Sequence, residues 1–161
     1  MSESPTPAQG SGETGADASP SESGDPTGAA LAEALRAEHA AVYGHEFIGG
    51  AAGDRTRRER ASASAYEHKA LRDSLHAASV ERGVDPPAAL ASYPLPEGRD
   101  GGDMDDFAVR LEETTMSAYL WLSSSADTDL RVTAARSLQE ATVRSLEWGA
   151  ELDPLPAFDH G

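Results

Sequence analysis

The chain has 161 residues, and its 28 acidic against 13 basic residues give a formal charge of −15. A nucleic-acid-binding protein normally presents a basic face that displaces counterions, and binding to an anionic membrane surface needs one too, so neither partner is expected. The chain has no cysteine, which excludes disulfides, thiolate metal ligands and a cysteine nucleophile. No apolar run suits a transmembrane helix and no signal peptide is recognisable, so a cytoplasmic location is predicted.

The beginning of the chain differs in composition from the rest. Residues 1–28 are mainly Ser, Gly, Pro, Thr, Ala and acids, without a large apolar side chain after Met1. Such a segment cannot bury enough apolar surface to offset the entropy lost on ordering, so a disordered acidic tail is predicted there. One folded domain is predicted over residues 29–152, followed by a short C-terminal tail over residues 153–161.

Apolar residues recur at helical spacing in four segments and at strand spacing in none, so an all-α fold is predicted. Helix 1 should run from Ala29 to Gly49. Helix 2 should begin after Asp54, a favourable N-cap, and end near residue 82. Helix 3 should begin after the N-cap Asp103. Helix 4 should begin near residues 127–129 and end near Leu152.

The connections between these helices predict the topology. Helices 1 and 2, and likewise helices 3 and 4, are joined by only a few residues and should be antiparallel neighbours. The middle connection has about 20 residues and can span about 66 Å, which exceeds the length of about 42 Å expected for helix 2. This order of short, long and short connections predicts a ferritin-like four-helix bundle with a long helix 2–helix 3 crossover.

Several polar residues fall on or beside the core-facing sides of these helices. Glu38 lies as many residues before the first turn as His68 lies after it, and the same holds for His39 and Glu67. In two antiparallel helices such residues lie at the same height, so these four should form one layer. Glu112 of helix 3 should lie near the same level. Carboxylates and imidazoles can bind Fe, Mn or Zn, but a paired layer that holds the helices in register explains the same residues.

Two further polar residues, Glu46 and Arg60, also lie equally far from the first turn. They should form an ion pair between the turn and the polar layer. His45 falls at the edge of helix 1 and is expected to be solvated, while Tyr43 and Tyr119 are expected to be packing residues.

A family resemblance is carried by residues on all four predicted helices: Ala37–Gly44, His68 with Arg72-Asp73, Leu111-Glu112 with Ala118-Tyr119, and Arg144 with Trp148. Over about residues 29–158 the chain resembles a ferritin-like domain family of unknown function from high-GC Gram-positive bacteria. The resemblance implies a four-helix ferritin-like fold and supplies no established activity.

The wider ferritin-like superfamily binds two irons through one Glu on each of helices 1 and 3 and a Glu-x-x-His motif on each of helices 2 and 4. By this resemblance, Glu38 and Glu112 match the single glutamates and His68 matches the helix 2 histidine. Ala65 stands where the helix 2 motif has Glu, and helix 4 offers no matching motif. Glu67 is the substitute, so the implied metal ligands are Glu38, Glu67, His68 and Glu112.

Two functions follow from this pattern. The missing motifs favour a metal-free or degenerate-site module that acts in structure or interaction, with a structural polar layer that includes His39, Glu46 and Arg60. The alternative is a metal-handling protein or oxidoreductase that uses Fe or Mn; whether the chain is an enzyme stays open. A homodimer or another protein is the expected partner, and the apolar residues expected off the core stripes are Phe47, Ile48, Trp121 and Val143.

Overall fold

The computed structural model describes residues 24–151, which form four α-helices and no strand. In chain order the helices are α1 (Pro26–Ala51), α2 (Arg55–Glu81), α3 (Gly101–Leu122) and α4 (Thr128–Glu147). The all-α prediction is confirmed. None of these four helices is both long enough and apolar enough to cross a membrane. Most of the two predicted tails lies outside the described residues, but residues 26–28, assigned to the N-terminal tail, belong to α1.

An aspartate caps the N-terminus of every helix, where its carboxylate accepts backbone N–H groups that lack a partner within the helix. The four N-caps are Asp25, Asp54, Asp100 and Asp127. The predicted start of α3 was wrong by three residues, because Asp100 and Asp103 form a capping box in which each carboxylate accepts the other residue's backbone N–H. The predicted end of α4 was also wrong, because the helix stops at Glu147 and Gly149 adopts a φ of 100°.

Helix α1 is the central element, since it packs against both α2 and α3, and α3 packs in turn against α4. It is antiparallel to both neighbours: its first half shares an apolar cluster with the ends of α2 and α3. Helices α2 and α3 are therefore parallel, and residues 82–100 must return along the bundle. They do so beside α1, where His39 Nε2 lies 3.1 Å from the Pro87 oxygen and Tyr43 packs against Tyr93. The predicted crossover is confirmed.

The buried interior has two apolar clusters with charged groups between them. One cluster lies at the α1 N-terminal end and includes Leu31, Leu35, Leu75 and Leu122. The other lies near the α1–α2 turn and includes Ile48, Met104, Phe107 and Trp148. Because a buried charge is costly unless it is paired, the charged layer between the clusters is the candidate functional site.

Candidate functional site

Each helix contributes a charged or titratable side chain to the buried layer. Glu38 of α1, His68 of α2 and Glu112 of α3 have no exposed surface, and Arg144 of α4 is only 5% exposed. A second α1 residue, His45, is also fully buried. Two carboxylates, two imidazoles and a guanidinium therefore share the centre of the bundle.

The Glu112 carboxylate is the centre of this network. Its Oε1 lies 3.0 Å from His68 Nε2 and 3.1 Å from His45 Nε2. Its Oε2 accepts a hydrogen bond of 3.1 Å from Arg144 Nε. One carboxylate thus connects three other helices to α3.

Glu38 holds the opposite side of His68. Its Oε2 lies 2.7 Å from His68 Nδ1, and its Oε1 accepts a hydrogen bond from the Tyr119 hydroxyl. Burial and the neighbouring Glu38 charge raise the pKa of Tyr119, so the phenol keeps its proton and remains a donor. His68 is therefore clamped between two carboxylates, with its ring orientation fixed.

The pKa values follow from burial and from these contacts. Burial opposes the charged form of His68, but hydrogen bonds to Glu112 and Glu38 outweigh it and raise the pKa of His68 to about 9. Burial also disfavours ionised Glu112, yet hydrogen bonds from His45 and His68 lower the pKa of Glu112 to about 2. Burial lowers the pKa of His45, which is neutral at pH 7.

The same atoms have the arrangement of a metal-ligand set. One imidazole nitrogen each from His45 and His68 and a Glu112 oxygen all lie within 4.8 Å of one another. Two imidazole nitrogens and one carboxylate oxygen can bind Fe(II), Mn(II) or Zn(II). Glu38 at the second nitrogen of His68, and Arg144 at the second oxygen of Glu112, are the kind of outer partners that orient ligands in metal sites.

Of the four residues predicted as metal ligands, Glu38, His68 and Glu112 meet in this layer. Glu67 does not join them directly: its side chain is 54% exposed and accepts a hydrogen bond from Arg144 Nη1. Successive helix residues point about 100° apart, so Glu67 cannot face the core where His68 does.

The structural polar layer predicted around His39, Glu46 and Arg60 was wrong. His39 contacts the crossover at Pro87 instead of the core, because Glu38 takes the inward position. Glu46 is exposed and pairs with Lys69. Arg60 lies over the ring of Trp148, with its guanidinium carbon 5.2 Å from the ring centroid. The predicted Glu46–Arg60 pair does not form.

Two site residues were missed by sequence reasoning. His45 was expected to be solvated, yet it follows Glu38 by seven residues, or nearly two helical turns, and so lies on the same buried face. Arg144 was noted only as part of the family resemblance. Its spacing of three residues from the buried Ala141 places it on the same face of α4. Ile48 was expected to be an exposed apolar residue. It is fully buried, because it follows His45 by three residues and so lies on the same face of α1.

The comparisons with known proteins agree with this fold and leave its activity open. A crystal structure of a conserved hypothetical protein, rv2844, from Mycobacterium tuberculosis is similar with a TM-score of 0.72 and 29% sequence identity, covering 78% of this chain and 96% of that chain. No curated protein matches the chain. The family model described as a domain of unknown function (DUF4439) matches residues 30–160. Since that match spans most of the sequence, the chain belongs to the DUF4439 family.

Proposed function

We propose that this chain is a ferritin-like bundle that binds a single first-row transition-metal ion through His45, His68 and Glu112. The observation that carries the proposal is the convergence of three ligand atoms, each within 4.8 Å of the others, in a fully buried layer. Seven-residue spacing brings His45 to the face of Glu38, and this adds the ligand that the sequence pattern alone did not supply.

The two-metal site that a ferritin-like fold implies does not fit these residues. Helix α4 directs the guanidinium of Arg144 at Glu112, where a second metal would require a carboxylate or an imidazole. Helix α2 has Ala65 in place of the glutamate of the motif. A mononuclear site fits, because Arg144 occupies only one oxygen of Glu112 and leaves the other directed at the two histidines.

The residues around the ligands prepare them for this role. Glu38 accepts from His68 Nδ1 and so directs Nε2 of the same ring toward Glu112. The lowered pKa of His45 keeps its imidazole neutral, as a metal ligand must be. An ion bound by three protein ligands retains open coordination positions, which would permit redox or Lewis-acid chemistry with a small molecule.

A second candidate function is favoured by the charge balance of the layer. With His68 protonated, His68 and Arg144 carry two positive charges that balance the carboxylates of Glu38 and Glu112. Such a network balances its charges without a metal and would hold four helices in register. The chain would then be a metal-free module whose exposed faces bind a partner.

Metal content separates the two candidates. The full-length chain, purified without a histidine tag and incubated with Fe(II), Mn(II) or Zn(II), is desalted and measured by plasma mass spectrometry. We expect close to one ion per chain for at least one metal, and a loss of that ion in His45→Ala and in Glu112→Gln. The matched control is His39→Ala, which removes a histidine of the same helix that contacts the crossover.

The contrast between the two histidines makes the result specific. Equal metal loss in His39→Ala and His45→Ala would show surface binding instead of the proposed site. Metal far below one ion per chain for every ion tested, in protein with native circular dichroism, would reject the metal site and favour the metal-free module.

A further inference from the structure

A groove of about 420 Å³ lies between α1 and α2, and His45 is among the residues that line it. Its walls are made of small residues, including Gly49, Ser62 and Ala65, and His45 forms part of its floor. The rim carries an ion pair between Glu46 and Lys69, both partly exposed. The groove therefore extends from the exposed rim to one of the three proposed ligands, whose side chain itself has no exposed surface.

The side chain of His45, which lines this groove, also has an unsatisfied polar atom. It has no exposed surface, and its Nδ1 has no hydrogen-bond partner among the described residues. A buried polar nitrogen without a partner is costly, and a water molecule normally satisfies such a group. A water molecule or an ion admitted from the groove by a small side-chain movement would supply that partner.

We propose that this α1–α2 groove is the access route by which a divalent cation reaches His45, His68 and Glu112. The inference rests on the proposed function and adds the path to the site. Glu46 attracts the cation at the rim, and the positive charge of Lys69, which pairs with Glu46, weakens that attraction. The small side chains of the groove leave few bulky groups to displace on the way to His45.

A second, larger groove is a less suitable path. It lies between α2 and α4, measures about 560 Å³ and is lined by Glu67 and Arg144 among others. Arg144 is a buried cation that stands between this groove and Glu112, and its Nε is already bonded to that carboxylate. A divalent cation entering there meets a like charge before it meets any ligand.

The test is the rate of Co(II) uptake by the metal-free chain, followed by visible absorption in a stopped-flow instrument at low salt. Ser62→Leu narrows the groove at an exposed position and should slow uptake without changing the final Co(II) content. Glu46→Gln should slow uptake about fivefold and Lys69→Gln should speed it by a similar factor, as expected for one charge near a divalent ion. Glu59→Gln is the control, since it removes one exposed α2 carboxylate that pairs with Arg55 and lies outside the groove.

The outcomes separate this inference from the proposed function. Failure of the unmodified chain to bind Co(II) at equilibrium would reject the metal site and the route with it. Normal final binding with unchanged rates in Ser62→Leu and Glu46→Gln would reject only the route. If Glu59→Gln slowed uptake as much as Glu46→Gln, net charge alone would explain the effect and the route would again be rejected.

Discussion

His45 Nε2 lies 3.1 Å from Glu112 Oε1, although 67 residues separate the two in sequence. This contact depends on the close approach of α1 and α3 at Gly44, the residue before His45. A Cβ atom at Gly44 would overlap the side chain of Leu111, the residue before Glu112. The absence of a side chain at Gly44 thus sets the helix separation that brings the imidazole to the carboxylate.

Gly44→Ala should therefore destabilise the chain by about 1–3 kcal/mol, because the added methyl must displace a packed leucine. The same variant should lose metal, since a wider α1–α3 separation moves His45 away from Glu112. Urea unfolding followed by circular dichroism measures the first effect. Gly50→Ala is the matched control, because Gly50 lies in the same helix with open space around it. Alanine there should raise the free energy of unfolding by up to about 1 kcal/mol. Equal effects of the two variants would contradict the packing argument.

Arg144→Met should lower the free energy of unfolding by about 3–5 kcal/mol. The variant keeps much of the apolar volume but leaves the buried Glu112 carboxylate without its guanidinium partner. Arg136→Met, at an exposed position of the same helix, should change stability by less than about 0.5 kcal/mol. A small effect at Arg144 would mean that its ion pair with Glu112 does not stabilise the fold.

Tyr119→Phe should cost about 1–3 kcal/mol, because one oxygen of the fully buried Glu38 loses its donor. Tyr66→Phe removes the same hydroxyl from a side chain that is 76% exposed and should have no measurable effect. Thermal or urea unfolding of the two variants gives the comparison. Equal stability of Tyr119→Phe and the unmodified chain would argue against a hydrogen bond between Tyr119 and Glu38.

The stability of the metal-free chain should be greatest near pH 6.5 and fall on both sides. The pKa of His68 is raised from 6.5 to about 9, so its contribution is complete below pH 6.5 and is lost as the pH rises through 9. This loss is of the order of 3 kcal/mol. The pKa of Glu112 is lowered from 4.5 to about 2, so its contribution is lost as the pH falls below 4.5. His45, with its lowered pKa, adds to the acid loss from pH 6.5 downward.

Urea unfolding across this pH range measures the profile. His68→Gln should flatten the alkaline fall, whereas His76→Gln, at an exposed position of the same helix, should preserve it. An alkaline fall that persists in His68→Gln would assign it to other groups.

Metal binding near pH 7 should release one proton per ion. His45 is neutral and Glu112 is ionised at this pH, but His68 holds a proton up to a pKa of about 9 and must lose it to bind a metal. Calorimetric titration with Zn(II) in two buffers of different ionisation enthalpy counts the protons. Affinity should rise about tenfold per pH unit between pH 7 and 9, and a flat profile would exclude His68 as a ligand.

Local physical rules made much of the fold predictable. The N-cap Asp54, the start of helix 4 near Asp127, and the short and long connections were predicted correctly, because capping and loop length act over a few residues. The facing of single polar residues was less certain, since one position along a helix changes direction by about 100°. That step separates Glu38 from His39 and His68 from Glu67, and in both pairs only one residue faces the core.

The sequence by itself determined four helices, their order and the long crossover, since helix periodicity, capping and the length of each connection are local properties. Only the tertiary structure decided that His45 and Arg144 join Glu38, His68 and Glu112, and that Glu46 pairs with Lys69 outside the layer. These contacts depend on how far apart the helices pack and how each is rotated about its axis. Both quantities result from side chains on several helices fitting together at once, Gly44 against Leu111 among them.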